Sequence, residues 1–288
     1  MSASIETASG KGRHGENFPV GSWLIRRDLR AHVHAFYRFA RVADDIADNP
    51  ALAPGDKVAR LARMAAVLEG AMPGDDAPAA VAMRTSLAAT GLAPTHCLDL
   101  LRAFSQDAAK LRYVDWDDLL DYCRYSAMPV GRQVLDLHGE SRATWPPNDA
   151  LCAALQVLNH LQDCVADYHD LDRVYLPERI LAAHGASIAD LDRPRATPGL
   201  RKTIDELLDR TDALIALADG LPAAVVDWRL RAETATIVAL ARRLSGRLRR
   251  GDPVAGRVKL QGVDFGASLC VGLWRSAMSP PRAVPAHD

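Results

Sequence analysis

The stretch that most constrains this chain is Asn159-His-Leu-Gln-Asp163-Cys-Val-Ala-Asp167, set in the mostly apolar run from Leu151 to Val165. It places an amide and two carboxylates at four-residue intervals. Four residues turn an α-helix by ~400°, so successive members lie ~40° apart on one face with ~6 Å of rise between them. The apolar surroundings predict a largely buried helix. Two carboxylates on one face repel each other and cost helix stability, and buried carboxylates need a partner or a metal. A cation site answers both demands; a core polar network is the alternative.

The rest of the chain reads as helices. Asp28 is a candidate N-cap for a helix to Asp48, closed by Pro50, with Leu29, Val33, Phe36, Ala40 and Ala43 at helical spacing. Helices are expected over 56–68, 78–90 and 94–112. A long one follows from an Asp115 cap to Gly139, where Pro129 should kink or break the hydrogen-bond ladder. Trp145 to Asp149 reads as a loop and 150–168 as the motif helix, with further helices over 198–218, 222–250 and 264–278. There is no sustained alternation and no hairpin signal. The expectation is an all-α, single-domain helical bundle over 17–279, between disordered tails 1–16 and 280–288.

Net charge −1 across 288 residues gives no support for a nucleic-acid partner. Cys97, Cys123, Cys152, Cys164 and Cys270 show neither CxxC nor zinc spacing and read as reduced, mostly buried thiols. No signal peptide and no apolar run of membrane-spanning length is present, the nearest being Phe265 to Trp274. A soluble, cytoplasmic protein is expected, with room for a peripheral contact at the inner membrane face.

A second acidic cluster, Asp44-Asp45-Ile-Ala-Asp48, ends the first helix. Anions there oppose the helix dipole at ~0.3–1 kcal/mol each, so a solvated helix end explains them poorly. Asp44 and Asp48 share a face; Asp45 points ~100° away and is expected in solvent or behind the others. Hard oxygen donors without a Cys/His pattern suit Mg2+, which takes phosphates as co-ligands. The two clusters thus suggest a Mg2+–diphosphate clamp. Arg41, Arg173, Tyr175, Arg257 and Lys259 are candidates to reach diphosphate oxygens. His160 and Cys164 could form a nucleophilic pair, but no oxyanion element supports it and packing is the better account. No nucleotide-binding glycine loop occurs.

With these motifs in place, the chain resembles the squalene and phytoene synthase family of head-to-head prenyl synthases. Asp44 to Asp48, and Asp163 to Asp167 preceded by Gln156 and Asn159, match the family's paired acidic motifs. Tyr37-Arg38-Phe39-Ala40-Arg41 matches its active-site tyrosine and diphosphate-binding arginine. The resemblance implies an isoprenoid-synthase-type bundle with a central active-site cavity. It implies Mg2+ held by Asp44, Asp48, Asn159, Asp163 and Asp167, with Tyr37 and Arg41 also catalytic. Asn17, Phe18, Ser126, Ala127, Val130, Val134, Gln156, Arg173, Tyr175 and Lys259 would bind substrate.

The stretches around Asn17, Tyr122 to Gly131, and Leu171 to Pro177 are most similar to family members that make hydroxysqualene in the bacterial route to squalene and hopanoids. The implied reaction is ionisation of presqualene diphosphate, rearrangement in an apolar pocket and capture by water. Other family reactions, giving presqualene diphosphate, dehydrosqualene or phytoene, remain open, as does a non-catalytic scaffold role. Association with neighbouring enzymes of the pathway is a further expectation. Three departures bear on this. The region from Arg250 to Ala255 lacks the tyrosine that some relatives offer a phosphate. Asn17 stands where many relatives have serine. The Asp167–Arg173 segment is about one residue longer than in several relatives, which loosens the placement of Arg173 and Tyr175.

Overall fold

The computed structural model describes residues 4–6 and 24–278. Among them the chain forms twelve α-helices. In order these are α1 (Arg30–Ala47), α2 (Pro54–Leu68), α3 (Pro78–Thr90), α4 (Thr95–Asp107), α5 (Trp116–Ser126), α6 (Met128–Leu137), α7 (Trp145–Leu171), α8 (Glu178–Ala183), α9 (Pro198–Ala218), α10 (Leu221–Ala224), α11 (Trp228–Arg250) and α12 (Gly262–Met278). The only extended pairing among the described residues is a single parallel bridge between Arg112 and Val174. No helix among them is long and apolar enough to cross a membrane.

Two hydrophobic cores hold the bundle together. Phe36, Phe39, Ile46, Leu61, Met64, Met83 and Leu100 close a smaller core among α1 to α4. Leu119, Leu158, Leu161, Ile204, Leu207, Val238 and Leu244 belong to a larger core around α7, α9 and α11. The cavity described below takes residues from both sides.

α7 is the spine, 27 residues and so ~40 Å long. It begins at Trp145, not Ala150, so the expected loop 145–149 is its first turn. Pro146 and Pro147 are tolerated there because first-turn N–H groups have no intrahelical partner. Other boundaries also differ from expectation. α1 starts at Arg30 without a side-chain cap, because Asp28 is engaged by Arg26 at 2.5 Å. α4 stops at Asp107, five residues before the expected end. The helix expected over 222–250 is divided by 225–227, where Glu140 accepts from the N–H groups of Val226 and Asp227 at 2.8 Å each. Asp227 then caps α11 through the N–H groups of Arg229 and Leu230. Asp115 caps α5 as expected, accepting from Asp118 N. The break before Pro129 falls at Ala127 and separates α5 from α6.

α7 ends abruptly. Asp172 takes φ 50°, the one positive φ at a non-glycine residue among those described. Its carboxylate accepts from Arg112 at 2.5 Å. The chain reverses there, and Val174 N bonds to Leu111 O at 2.9 Å. That reversal turns Arg173 and Tyr175 back into the bundle, where both are buried.

Candidate active site

The two acidic motifs face one cavity of about 280 Å³. Asp44 and Asp48 of the α1 end, and Asn159, Asp163 and Asp167 of α7, all line it. Gln156, Ser126, Arg173 and Tyr175 line it too, together with Phe104, Asp107, Tyr122, His160 and Leu171.

Arginines sit on most of these carboxylates. Arg41 reaches Asp44 at 3.3 Å and Asp45 at 3.2 Å. Of the two places expected for Asp45, in solvent or behind the others, it takes the second: its side chain is 16% exposed against 34% for Asp44, and Arg41 one turn earlier holds it. Asp48 is buried and accepts from Arg173 Nη1 at 3.1 Å. Asp163 is gripped on both oxygens by Arg257, Nε at 2.6 Å and Nη2 at 2.9 Å. The segment bearing Arg257 is tied to α7 by Gln162, whose amide donates to Val258 O. Burial pushes the Asp163 carboxyl above its ordinary range and Asp167 adds to this, while Arg257 opposes it.

Behind the acids lies a buried polar and aromatic layer. Arg173 donates to Tyr175 OH at 3.3 Å and to the backbone carbonyl of Asp107 at 3.1 Å, a cation at the C-terminus of α4, where the helix dipole favours it. Burial disfavours the Arg173 charge, but Tyr175, Asp107 and Asp48 outweigh it and raise the guanidinium further. Tyr122 OH donates to Asp107 Oδ2 at 2.8 Å. Asp107 is 4% exposed. Burial lifts its carboxyl to about 7 against the opposing pull of Arg173 and Tyr122. Tyr113, Tyr122 and Tyr175 cluster with ring centroids 5.3–5.6 Å apart.

His160 stacks on Tyr175 at 3.4 Å. Its Nε2 lies 3.0 Å from the Gln156 amide and its Nδ1 3.8 Å from Asp167. With Gln156 as donor, the ring carries its hydrogen on Nδ1, toward Asp167. Burial lowers its pKa, which keeps it neutral. Cys164 is a buried thiol pushed up to about 12 by that burial, so it offers no thiolate near neutrality.

The remaining expected residues are distributed as follows. Tyr37 is half-buried on α1 and, like Arg41, lies outside the cavity lining. Ala127 is buried, Val134 packs on the larger core, Val130 is 41% exposed, and none of the three lines the cavity. Lys259 is exposed and also outside it. Asn17 and Phe18 lie outside the described residues. Sequence reasoning missed Asp107 and the place of His160 in the cavity. It also missed Lys57 on α2, whose pKa burial and nearby Arg173 lower while Asp48 raises it. Asp107 had a signal: it continues the inward-facing stripe of buried Leu100 and Ala103 and partly buried Phe104 at helical spacing.

The comparisons with known proteins point one way. The family model described as squalene/phytoene synthase matches residues 11–264. The chain belongs to the squalene/phytoene synthase family. It is 47% identical to the hydroxysqualene synthase of Rhodopseudomonas palustris over 92% of this chain and 90% of that one. To that of Zymomonas mobilis it is 48% identical over 87% and 84%. Among solved structures it is similar to a squalene synthase of Alicyclobacillus acidocaldarius, with TM-score 0.72, 35% identity, and coverage of 82% of this chain and 89% of that one. As in other squalene/phytoene synthase relatives, the fold is all-α. A dehydrosqualene synthase at 22% identity and TM-score 0.73 has the same fold.

Proposed function

We propose that this chain converts presqualene diphosphate to hydroxysqualene, releasing diphosphate, with Mg2+. The observation that carries the reading is the pair of acidic motifs lining one cavity, in a chain similar along nearly its whole length to hydroxysqualene synthases. The donor set suits the ion: Asp44, Asp48, Asn159, Asp163 and Asp167 all line the cavity and offer hard oxygen donors. Those five residues would hold the Mg2+, which when bound supplies charge neutralisation for the departing diphosphate.

The chain's own groups do the rest. Arg173, buried between Asp48 and Asp107, presents a fixed positive charge beside the acids. Arg41 and Arg257, now paired with Asp44 and Asp163, are candidates to bind diphosphate oxygens. Tyr122 and Tyr175 set aromatic surface against a developing carbocation. Burial of this wall limits access of solvent that would capture the cation too early. Water, not hydride, ends the reaction in this reading. The catalytic domain spans 17–279, the protein works in the cytoplasm, and the product suits a hopanoid or squalene route.

The test is product analysis. Purified protein with Mg2+ and without a nicotinamide cofactor is offered presqualene diphosphate or farnesyl diphosphate, and the lipid fraction is read by mass spectrometry. Hydroxysqualene from presqualene diphosphate is expected. Consumption of farnesyl diphosphate alone would move the activity to another reaction of the family, and product in the presence of chelator would remove the metal.

A further inference from the structure

Capture of a carbocation by water releases a proton, and the chain must accept it. We infer that Asp107 is the base for the capturing water and that Ser126 is that water's second anchor. This rests on the activity proposed above.

Three buried polar atoms on the cavity lining have no hydrogen-bond partner: Asp107 Oδ1, Ser126 Oγ and Arg173 Nε, of which the last is only a donor and cannot take a proton. Buried polar atoms in folded proteins are nearly always matched, and leaving one unmatched costs ~1–3 kcal/mol. A water molecule in such a place needs two or more polar partners. The first two are linked through α5. Tyr122 holds Asp107 by its other oxygen, Oδ2, at 2.8 Å, and Ser126 follows Tyr122 by one helical turn on the same face. A water between Asp107 and Ser126 therefore satisfies both.

The other inner groups that could accept a proton are committed elsewhere. His160 is engaged by Gln156 and faces Asp167, and Tyr175 OH accepts from Arg173. Asp107 keeps one carboxylate oxygen uncommitted, and Arg173 links its backbone to Asp48. A carboxyl raised to about 7 can both take and return a proton near neutrality.

The step balances. A lone pair of the water oxygen forms the new C–O bond to the cation. The electron pair of one O–H bond stays on that oxygen, and its proton passes to Asp107 Oδ1. Asp107 then gives the proton to the departing diphosphate or to solvent. The sum is substrate plus water giving alcohol plus diphosphate, with no oxidant or reductant.

The experiment compares wild type, Asp107→Asn and Ser126→Ala with presqualene diphosphate and Mg2+, following diphosphate release and the lipid products separately. Asn keeps the shape of Asp and can still accept from Tyr122. Asp107→Asn is expected to cut the alcohol share by about tenfold or more, with hydrocarbon elimination products replacing it and diphosphate release much less affected. Ser126→Ala should shift the share the same way by a smaller factor, and it decides the matter should the Asn variant not fold. Asp107→Glu should restore part of the alcohol, which a purely structural role would not produce. An unchanged alcohol share in the folded variants, or alcohol and diphosphate release falling in proportion, overturns the assignment. If wild type makes no alcohol, the activity itself is overturned and this assignment with it; alcohol from wild type confines any failure to Asp107 and Ser126.

Discussion

The two acidic motifs carry similar chemistry on unlike foundations. The first sits at the end of α1, where the helix dipole opposes it, and is held by an arginine of its own helix and by the buried Arg173. The second lies in the body of the spine helix and is held by Arg257, from the segment joining α11 to α12. Arg173 is buried with Asp48, whereas Arg257 and Asp163 are each about a third exposed (30% and 30%). The Asp48–Arg173 half of the first clamp is therefore part of the core, while Arg41 with Asp44 and Arg257 with Asp163 are partly exposed pairs that can open more easily. A site that must admit and release a highly charged group needs one wall that stays and one that yields.

The sharpest way to break that contrast is at the acids. Asp163→Asn is expected to lower turnover by about a thousandfold while leaving the helical circular dichroism intact; ordinary turnover would remove Asp163 from the machinery. The arginines come next. Arg173→Ala strands Asp48 in the core and should cost about 3–5 kcal/mol of stability. Arg257→Ala breaks a half-exposed pair and should cost less than ~1 kcal/mol while weakening diphosphate binding. Equal losses in chemical denaturation would erase the distinction between the two walls.

A smaller effect lies in pH. The folded Asp107 carboxyl, at about 7, sits above its unfolded value of ~3.9. The folded state then binds the proton more tightly, so this group's contribution to stability is full at low pH and falls as pH rises through that window. Asp107 is faced by Asp44, Asp48, Arg173 and Tyr122, all of which Asp107→Asn leaves in place. The slope of stability between pH 4 and 7 should thus be shallower in the variant; identical slopes would mean Asp107 titrates normally. The smallest effect is expected from Asp45→Asn, which touches Arg41 but not the cavity: its loss of kcat/KM should be well below that of Asp44→Asn.

Much of the helical architecture was legible because its signal is local. Helical spacing located most of the helices, and Asp115 and Pro129 marked real boundaries. The misplaced boundaries are those decided by the fold. Pro146 and Pro147 read as a loop although a first turn accepts them, and Glu140 divides 222–250 from far along the chain. The acids on the cavity were legible because four-residue spacing repeats within one helix. For Asp107 the spacing marks only an inward-facing position; its role was not legible, since its partners Tyr122 and Arg173 lie 15 and 66 residues away. Helical angle alone left Asp45 either in solvent or behind the others, and the arginine one turn earlier decides between them.

The reversal at Asp172 has an evolutionary consequence. It makes the spacing between Asp167 and Arg173 a matter of where a helix stops. A residue inserted before the stop would extend α7 and swing the arginine ~100° around its axis. A residue inserted after it would turn the arginine to the other face of the returning segment unless the extra residue bulged out. The Arg112 contact that holds the turn therefore fixes the register in which Arg173 re-enters the bundle.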